Sequence, residues 1–187
     1  MAHMPSTPFH LPPSLVVAWP ARHHLDVPAF LLANFAVDVE PVVVLVAGLD
    51  RPPHGLSHTL LGAALLGAVT GWLLWLASGR LGRLLGGSYD LTRRSAVSSG
   101  VAGALLHVLI DALMHADQQP FLPVEGNPLL LSGSGPVLHL VGAVAFVAAV
   151  VLVVRDRAWR TVPERLTVVL LAVSLLGMAG AAALGLV

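Results

Sequence analysis

His107-Val-Leu-Ile-Asp111-Ala-Leu-Met-His115 closes an apolar run that begins near Ala96. Its three ionisable residues stand at i, i+4 and i+8, a spacing that stacks them along one helical face with a drift of about 40° per step. The residues between them suit lipid or a packed core. The run therefore reads as a membrane helix with a polar stripe, and the fold it implies is an all-α, polytopic transmembrane helix bundle. An ionisable side chain at membrane depth costs about 2.5–3.5 kcal/mol on insertion scales and is a functional-site hypothesis by default. Three on one face need partners. A metal ion is one solution; a hydrogen-bonded polar seam between helices is the other.

The composition agrees with a membrane setting. Of 187 residues, 56% are hydrophobic and only 11% charged, and the mean hydropathy is +0.84, far from a soluble average. Net charge is zero, so nothing points to a nucleic-acid partner. There is no Cys, which excludes disulfides, thiolate metal sites and cysteine nucleophiles. Nine His in so apolar a chain are the anomaly to explain. Met1–His3 read as an added leader before a native start at Met4, so His3 is set aside. Pro12, Pro13 and Pro20 interrupt the first apolar stretch, and no cleavable signal peptide is evident.

Four strong spans are expected at about Leu60–Ser78, Ala96–His115, Pro136–Val154 and Leu166–Val187. Each is near the roughly 20 residues that a bilayer requires. A fifth, Pro28–Gly48, carries Asp38 and Glu40 in its middle. A sixth, Leu11–Ala21, is short; Pro12 and Pro13 are tolerable in its first turn. The expectation is one integral membrane domain of five to six segments over residues 1–187, with no repeat and no soluble second domain.

Arginine placement predicts the orientation. All ten basic residues are Arg, and nine of them fall in the gaps Arg22–Val27, Gly79–Ser95 and Arg155–Arg165. The alternate gaps, Leu49–Ser57 and Ala116–Gly135, hold only Arg51. The positive-inside rule puts the Arg-rich gaps in the cytoplasm of a plasma-membrane protein. With six segments both termini are outside; if the first does not cross, the N-terminus is inside. On this topology His54, His58, Asp111, His115 and His139 fall at the outer side, His107 nearer the middle, and Asp38 and Glu40 midway to outward. His10 joins them if its segment crosses. One outward-facing pocket can collect nearly all of these residues.

His54-Gly-Leu-Ser-His58 is an HxxxH pair, which on a helix shares one face, and His107-x3-Asp111 is a second i, i+4 pair. Imidazole and carboxylate are the usual nitrogen and oxygen ligands of zinc and similar ions. In Asp38-Val-Glu40-Pro41, the proline disfavours α geometry at Glu40 and removes a backbone donor, so a break or kink is expected there. Freed backbone in a membrane must face protein or a watery cavity. Blander readings apply elsewhere. His23 and His24, beside Arg22, read as solvated. His115 reads as either a ligand or an interfacial residue, and His139 as either a site residue or a helix-end histidine. Asp117, Glu125 and Asn127 read as ordinary loop polarity. Trp19, Trp72 and Trp75 read as interface anchors or lipid-facing groups, and Gly62, Gly67 and Gly71 as helix-packing positions.

Thr7-Pro-Phe-His10, Val37-Asp38-Val-Glu40-Pro41, His54-Gly-Leu-Ser-His58-Thr59 and His107-x3-Asp111 occur in that order. Together, over roughly residues 4–130, they resemble the membrane-bound metal-dependent hydrolases, the LexA-binding, inner-membrane-associated group and its archaeal relatives. That family shows an N-terminal His, a Pro-Asp-x-Asp element, a His-Arg-Gly-x-Thr-His element and a His-x3-Asp element. The resemblance matches these to His10, to Asp38 and Glu40, to His54 and His58, and to His107 and Asp111. Here Val37 replaces the proline and Glu40 the second Asp, and the two histidines stand one residue closer with no Arg between them. A more distant likeness, in ligand types and helical scaffold, is to zinc-dependent phospholipase C.

The resulting expectation is a metal-dependent hydrolase with an extracytoplasmic site, acting on a phosphoester of a membrane lipid or lipid-linked substrate. Its ligands would be His10, Asp38, His54, His58, His107 and Asp111, with His115 as a further donor, holding one or two ions of zinc or manganese. Glu40 would be a bridging ligand, a group behind the ligands or the general base. Arg51, the only outer arginine, would contact phosphate. Three alternatives stand beside it: a divalent-metal transporter, a bis-histidine haem protein, and a non-catalytic membrane protein with a polar helix seam.

Overall fold

The structure, a computed structural model, describes residues 10–133 and 135–183, with side chains described except at 135, 139 and 178–183. Every described element is helical: α1 (Leu11–Ala18), α2 (Val27–Val37), α3 (Val39–Val46), a single 3-10 turn (Leu56–His58), α4 (Leu60–Leu84), α5 (Arg93–Ala112), α6 (Gly135–Arg155) and α7 (Val162–Ala183). Four stretches among the described residues are long and apolar enough to cross a membrane: Val27–Val46, which is α2 and α3 together, then α4, α5 and Pro136–Arg155. The five to six segments expected from the sequence therefore reduce to four on this criterion. α1 has eight residues and a rise of about 12 Å, less than half of a hydrocarbon core of about 30 Å. It is packed inside the bundle, with Leu11, Leu15 and Ala18 buried against Phe30, Leu31 and Ala149. α7 has 22 residues, and the side chains of its last turns lie outside the description.

Small residues let the central helices touch. A Cβ on Gly67 of α4 would strike the carbonyl oxygen of Gly100 on α5, and one on Gly71 would strike that of Ala96. A Cβ on Gly103 would strike the carbonyl of Phe30 on α2. Apolar side chains gain little from moving between lipid and a dry interface, so close backbone approach is what holds such helices together. The large side chains point outward instead: Leu61, Leu65, Val69 and Leu76 of α4 and Val137, Val144, Val151 and Val154 of α6 are exposed. Polar links fix the register inside. Asn34 Nδ2 donates to Ser14 Oγ at 2.9 Å and to the Gly103 carbonyl at 3.2 Å, joining α1, α2 and α5. Asp26 caps α2 by accepting from Ala29 N, and it also accepts from the Tyr89 hydroxyl at 2.7 Å.

The gaps sort to two ends. At one, Arg22 pairs with Asp156 at 3.2 Å, and Arg165 donates to the Leu85 carbonyl, which brings the three Arg-rich gaps together. At the other, Leu60 N donates to the Pro120 carbonyl at 2.8 Å, and Gln118 Nε2 donates to the His58 carbonyl at 3.1 Å, which joins the two Arg-poor gaps. Trp19 belongs to the first end. It is buried, with Nε1 donating to Asp156 at 2.8 Å, rather than facing lipid or serving as a free interface anchor.

Candidate metal centre

At the Arg-poor end, the break between α2 and α3 carries the first donor. It falls at Asp38, which ends α2 and starts α3 with φ −77° and ψ −3°. Pro41 explains it: a proline lacks the N–H that the carbonyl four residues earlier would accept, and its ring crowds that carbonyl. Here the carbonyl is Val37, and Ser57 Oγ approaches it at 3.0 Å from the facing loop. The bend turns Asp38 inward, where it is 8% exposed.

The HxxxH pair is not helical, contrary to the spacing argument. His54 lies in an irregular loop and His58 in the 3-10 turn, and Gly55 between them has ψ −139°, outside helical space. Gly55 is packed so closely that a Cβ would strike the Glu40 carboxylate. The helix waits for Thr59, which caps α4 by accepting from Gly62 N at 2.9 Å. The two rings still converge, with centroids 4.7 Å apart. His115 likewise leaves the helix expected for it. α5 ends at Ala112; His115 N still donates to the Asp111 carbonyl at 2.9 Å, and Asn127 Nδ2 then takes up the Ala112 and His115 carbonyls in place of further helix. His107 and Asp111 remain an i, i+4 helical pair.

Four donors meet first. Asp111 Oδ2 is 3.3 Å from His58 Nε2 and 3.2 Å from His107 Nε2. Asp38 Oδ1 is 3.7 Å from His58 Nε2 and 3.4 Å from His107 Nε2. Donors bound about 2.0–2.1 Å from one ion at tetrahedral angles stand about 3.3 Å apart, so these distances trace four edges of such a tetrahedron. The four donor atoms all lie within 4.8 Å of one another and belong to buried residues. His54, Asp111 and His115 form a second such group. His10 adds Nε2 at 2.9 Å from Asp111 Oδ1.

These contacts are close but not hydrogen bonds. Among the described residues, both ring nitrogens of His10 and of His107, Nε2 of His58 and of His115, Asp38 Oδ2 and Asp111 Oδ1 are buried without a hydrogen-bond partner. Native interiors leave few such groups, and a bound ion is a standard explanation. A polar seam would instead show aligned donors and acceptors. These buried His and Asp groups lie within reach of one ion and can hold a divalent metal.

The nitrogens facing away are held. His54 Nδ1 pairs with Asp117 Oδ2 at 2.8 Å, and His58 Nδ1 with Ser57 Oγ at 3.0 Å. Ser57 Oγ is 2.6 Å from Glu40 Oε2, which also accepts from Ser57 N at 2.8 Å. Carboxylates behind metal-ligating imidazoles fix the ring and its tautomer. Outside the spans, the titration of these groups follows the same pairing. Burial pushes the Asp117 carboxyl up, but the His54 hydrogen bond and charge, with smaller help from the backbone and His115, together leave the group below its ordinary range. Burial pushes the His58 imidazole down, but the Asp111 and Asp38 carboxylates hold it above the ordinary range. A pocket with two buried carboxylates demands positive charge, which a metal ion supplies as well as a proton does.

The structure thus brings together His10, Asp38, His54, His58, His107, Asp111 and His115. It does not bring in Glu40 or Arg51. Glu40 Oε1 accepts from Arg51 at 2.9 Å, and both residues sit behind the turn that carries His58. The side chain of His139 and residues Thr7–Phe9 lie outside the described residues. Asp117, read from sequence as plain loop polarity, is paired with His54 at the edge of the cluster. The signal was its place two residues after His115, in the gap that must face His54.

The profile of the YdjM inner membrane protein family matches residues 15–184. The chain belongs to that family. The YdjM match runs from α1 through α7, so it extends beyond the roughly 130 residues over which the motif resemblance was drawn, and it includes every donor except His10. YdjM membership carries an inner-membrane location; the metal reading stands on the donor geometry. No curated protein and no solved structure matches the chain.

Proposed function

We propose that this YdjM-family chain is a membrane-embedded, metal-dependent hydrolase of a phosphoester in a lipid or lipid-linked substrate, with its site opening outside the cell. The observation that carries the reading is the buried donor set of Asp38, His58, His107 and Asp111, spaced for one ion, with Nε2 of both His58 and His107 buried without a hydrogen-bond partner. A divalent ion there, zinc or manganese, would lower the pKa of bound water toward about 7 and polarise a phosphoryl oxygen. Ser57 and Glu40 hold His58 in place, so Glu40 is assigned as a positioning residue rather than the base. Arg51 has a half-exposed side chain and uses one guanidinium nitrogen on Glu40, which leaves donors for a phosphate oxygen. The phosphoester class is argued from the donor chemistry and from the cluster's place at one end of the spanning helices, near headgroup level. The outward orientation rests on the arginine count, with α7 as the fifth crossing.

The test is release of phosphate or headgroup from a panel of phospholipids and lipid phosphates, with and without zinc or manganese. The wild type is expected to turn over at least one of them, and Asp38→Asn to abolish turnover while folding and inserting normally. No turnover on any lipid phosphate, or turnover unchanged in Asp38→Asn, overturns the reading.

One observation favours a divalent-metal transporter as the second reading. Polar residues line up four or eight positions apart inward from the site: Asp38, Asn34 and the capping Asp26 along α2, and His107 and Ser99 on α5, all at least partly buried. The line is interrupted by Phe30, packed against Gly103, which favours a closed site over a path. Metal uptake into sealed vesicles would reverse the preference.

A further inference from the structure

Asp111 has more neighbours than one ion can use. Its Oδ2 faces His58 and His107 at 3.3 and 3.2 Å, while its Oδ1 faces His10 at 2.9 Å and His115 at 3.8 Å. The two oxygens therefore turn to different imidazoles, His58 and His107 on one side and His10 and His115 on the other. His54 stands between them: its ring centroid is 4.3 Å from that of His115, and its Nε2 is 3.9 Å from Asp111 Oδ2. His10 Nε2, His115 Nε2 and Asp111 Oδ1 are buried without hydrogen-bond partners among the described residues. Asp117 holds His54 by Nδ1, which leaves its Nε2 lone pair turned to the cluster.

We propose that the centre is binuclear, with the Asp111 carboxylate bridging one ion held by Asp38, His58 and His107 to a second held by His54, His115 and His10. This deepens the hydrolase reading and rests on its metal centre, though not on its substrate. Two ions a few ångström apart are the usual means of clamping both the attacking and the leaving oxygen of an in-line phosphoryl displacement. The two positions differ. The first has two carboxylates and donor separations near the tetrahedral value. The second has only its share of Asp111 and a wider 3.8 Å separation at His115. The second ion is therefore the weaker and leaves first.

The experiment uses the full-length purified chain, stripped and reloaded with Mn2+, with elemental analysis and electron paramagnetic resonance as readouts. The wild type is expected to hold two ions per chain with an exchange-coupled signal, and graded chelation to remove one before the other. His115→Ala and the milder His54→Gln are expected to fall to one uncoupled ion, His107→Ala to lose the tighter ion, and Asp111→Asn to lose both or most of both. One ion per chain in the wild type, unchanged by His54→Gln and His115→Ala, overturns the second position and leaves the single-ion centre standing. No bound ion in the wild type overturns the metal centre itself. The wild-type stoichiometry and coupling decide the matter even if a variant fails to fold.

Discussion

His54 and Asp117 form one unit: Asp117 Oδ2 accepts from His54 Nδ1 at 2.8 Å, and the opposite nitrogen of the ring points at Asp111. The carboxylate makes that imidazole a better donor and fixes its tautomer. Removing such a partner lowers metal affinity by about 10- to 100-fold. Asp117→Ala should weaken the more labile metal position by that factor, and Asp117→Asn, whose amide oxygen can still accept the proton, by less. Chelator competition measures both. Equal affinity in Asp117→Ala and wild type would remove Asp117 from the site.

Ser57 joins the helix break to the metal donors. Its hydroxyl lies 2.6 Å from Glu40 Oε2 and 3.0 Å from the Val37 carbonyl, so one proton is shared between two acceptors and a lone pair is left for His58 Nδ1–H. Ser57→Ala should lower stability by about 1–3 kcal/mol through unsatisfied partners. Pro41→Ala returns an N–H to the Val37 carbonyl, so the Ser57→Ala cost should shrink in that background. A double-mutant cycle on thermal unfolding in detergent reads the coupling, and strict additivity would sink the link between Pro41 and Ser57.

Glycines on the same bundle should respond oppositely to one methyl group. A Cβ at Gly100 would meet the Gly67 backbone, whereas one at Gly79, also helical, meets nothing within 4 Å. Gly100→Ala should destabilise by about 1–3 kcal/mol, as overpacking does. Gly79→Ala should stabilise by about 0.5–1 kcal/mol through lower backbone entropy in the unfolded chain. Melting temperatures that move the same way in both variants would contradict the α4–α5 packing.

Orientation is open to direct labelling because the chain has no Cys. Ser132 is exposed in the Arg-poor gap and Ser88 is exposed in an Arg-rich one. A cysteine at Ser132 should react with an impermeant thiol reagent applied to intact cells, and one at Ser88 should not. The reverse pattern would put the metal centre on the cytoplasmic side.

The helices themselves, the two-ended sorting of Arg and the donor types were legible in the chain because each is local: hydropathy over about 20 residues, charge per gap, residue chemistry. The pair His107 and Asp111 was legible for the same reason, since both stand on one uninterrupted helix. His54 and His58 do meet the other donors, but not by the helical geometry that their spacing suggested. Their convergence comes from a loop and a 3-10 turn pressed against Glu40 and Asp117, and periodicity carries no information about such a turn. Asp117 was marked only by its place near His115 in the gap facing His54; the contact that gives it meaning is with a partner 63 residues away. The break was expected at Glu40 and Pro41 but falls at Asp38, because a proline acts on the carbonyl one turn before it. Composition could name the donor types. Only the packing of α2 and α5 through Gly103, with two loops folded over their ends, decided that one Asp111 oxygen meets His58 and His107 while the other meets His10.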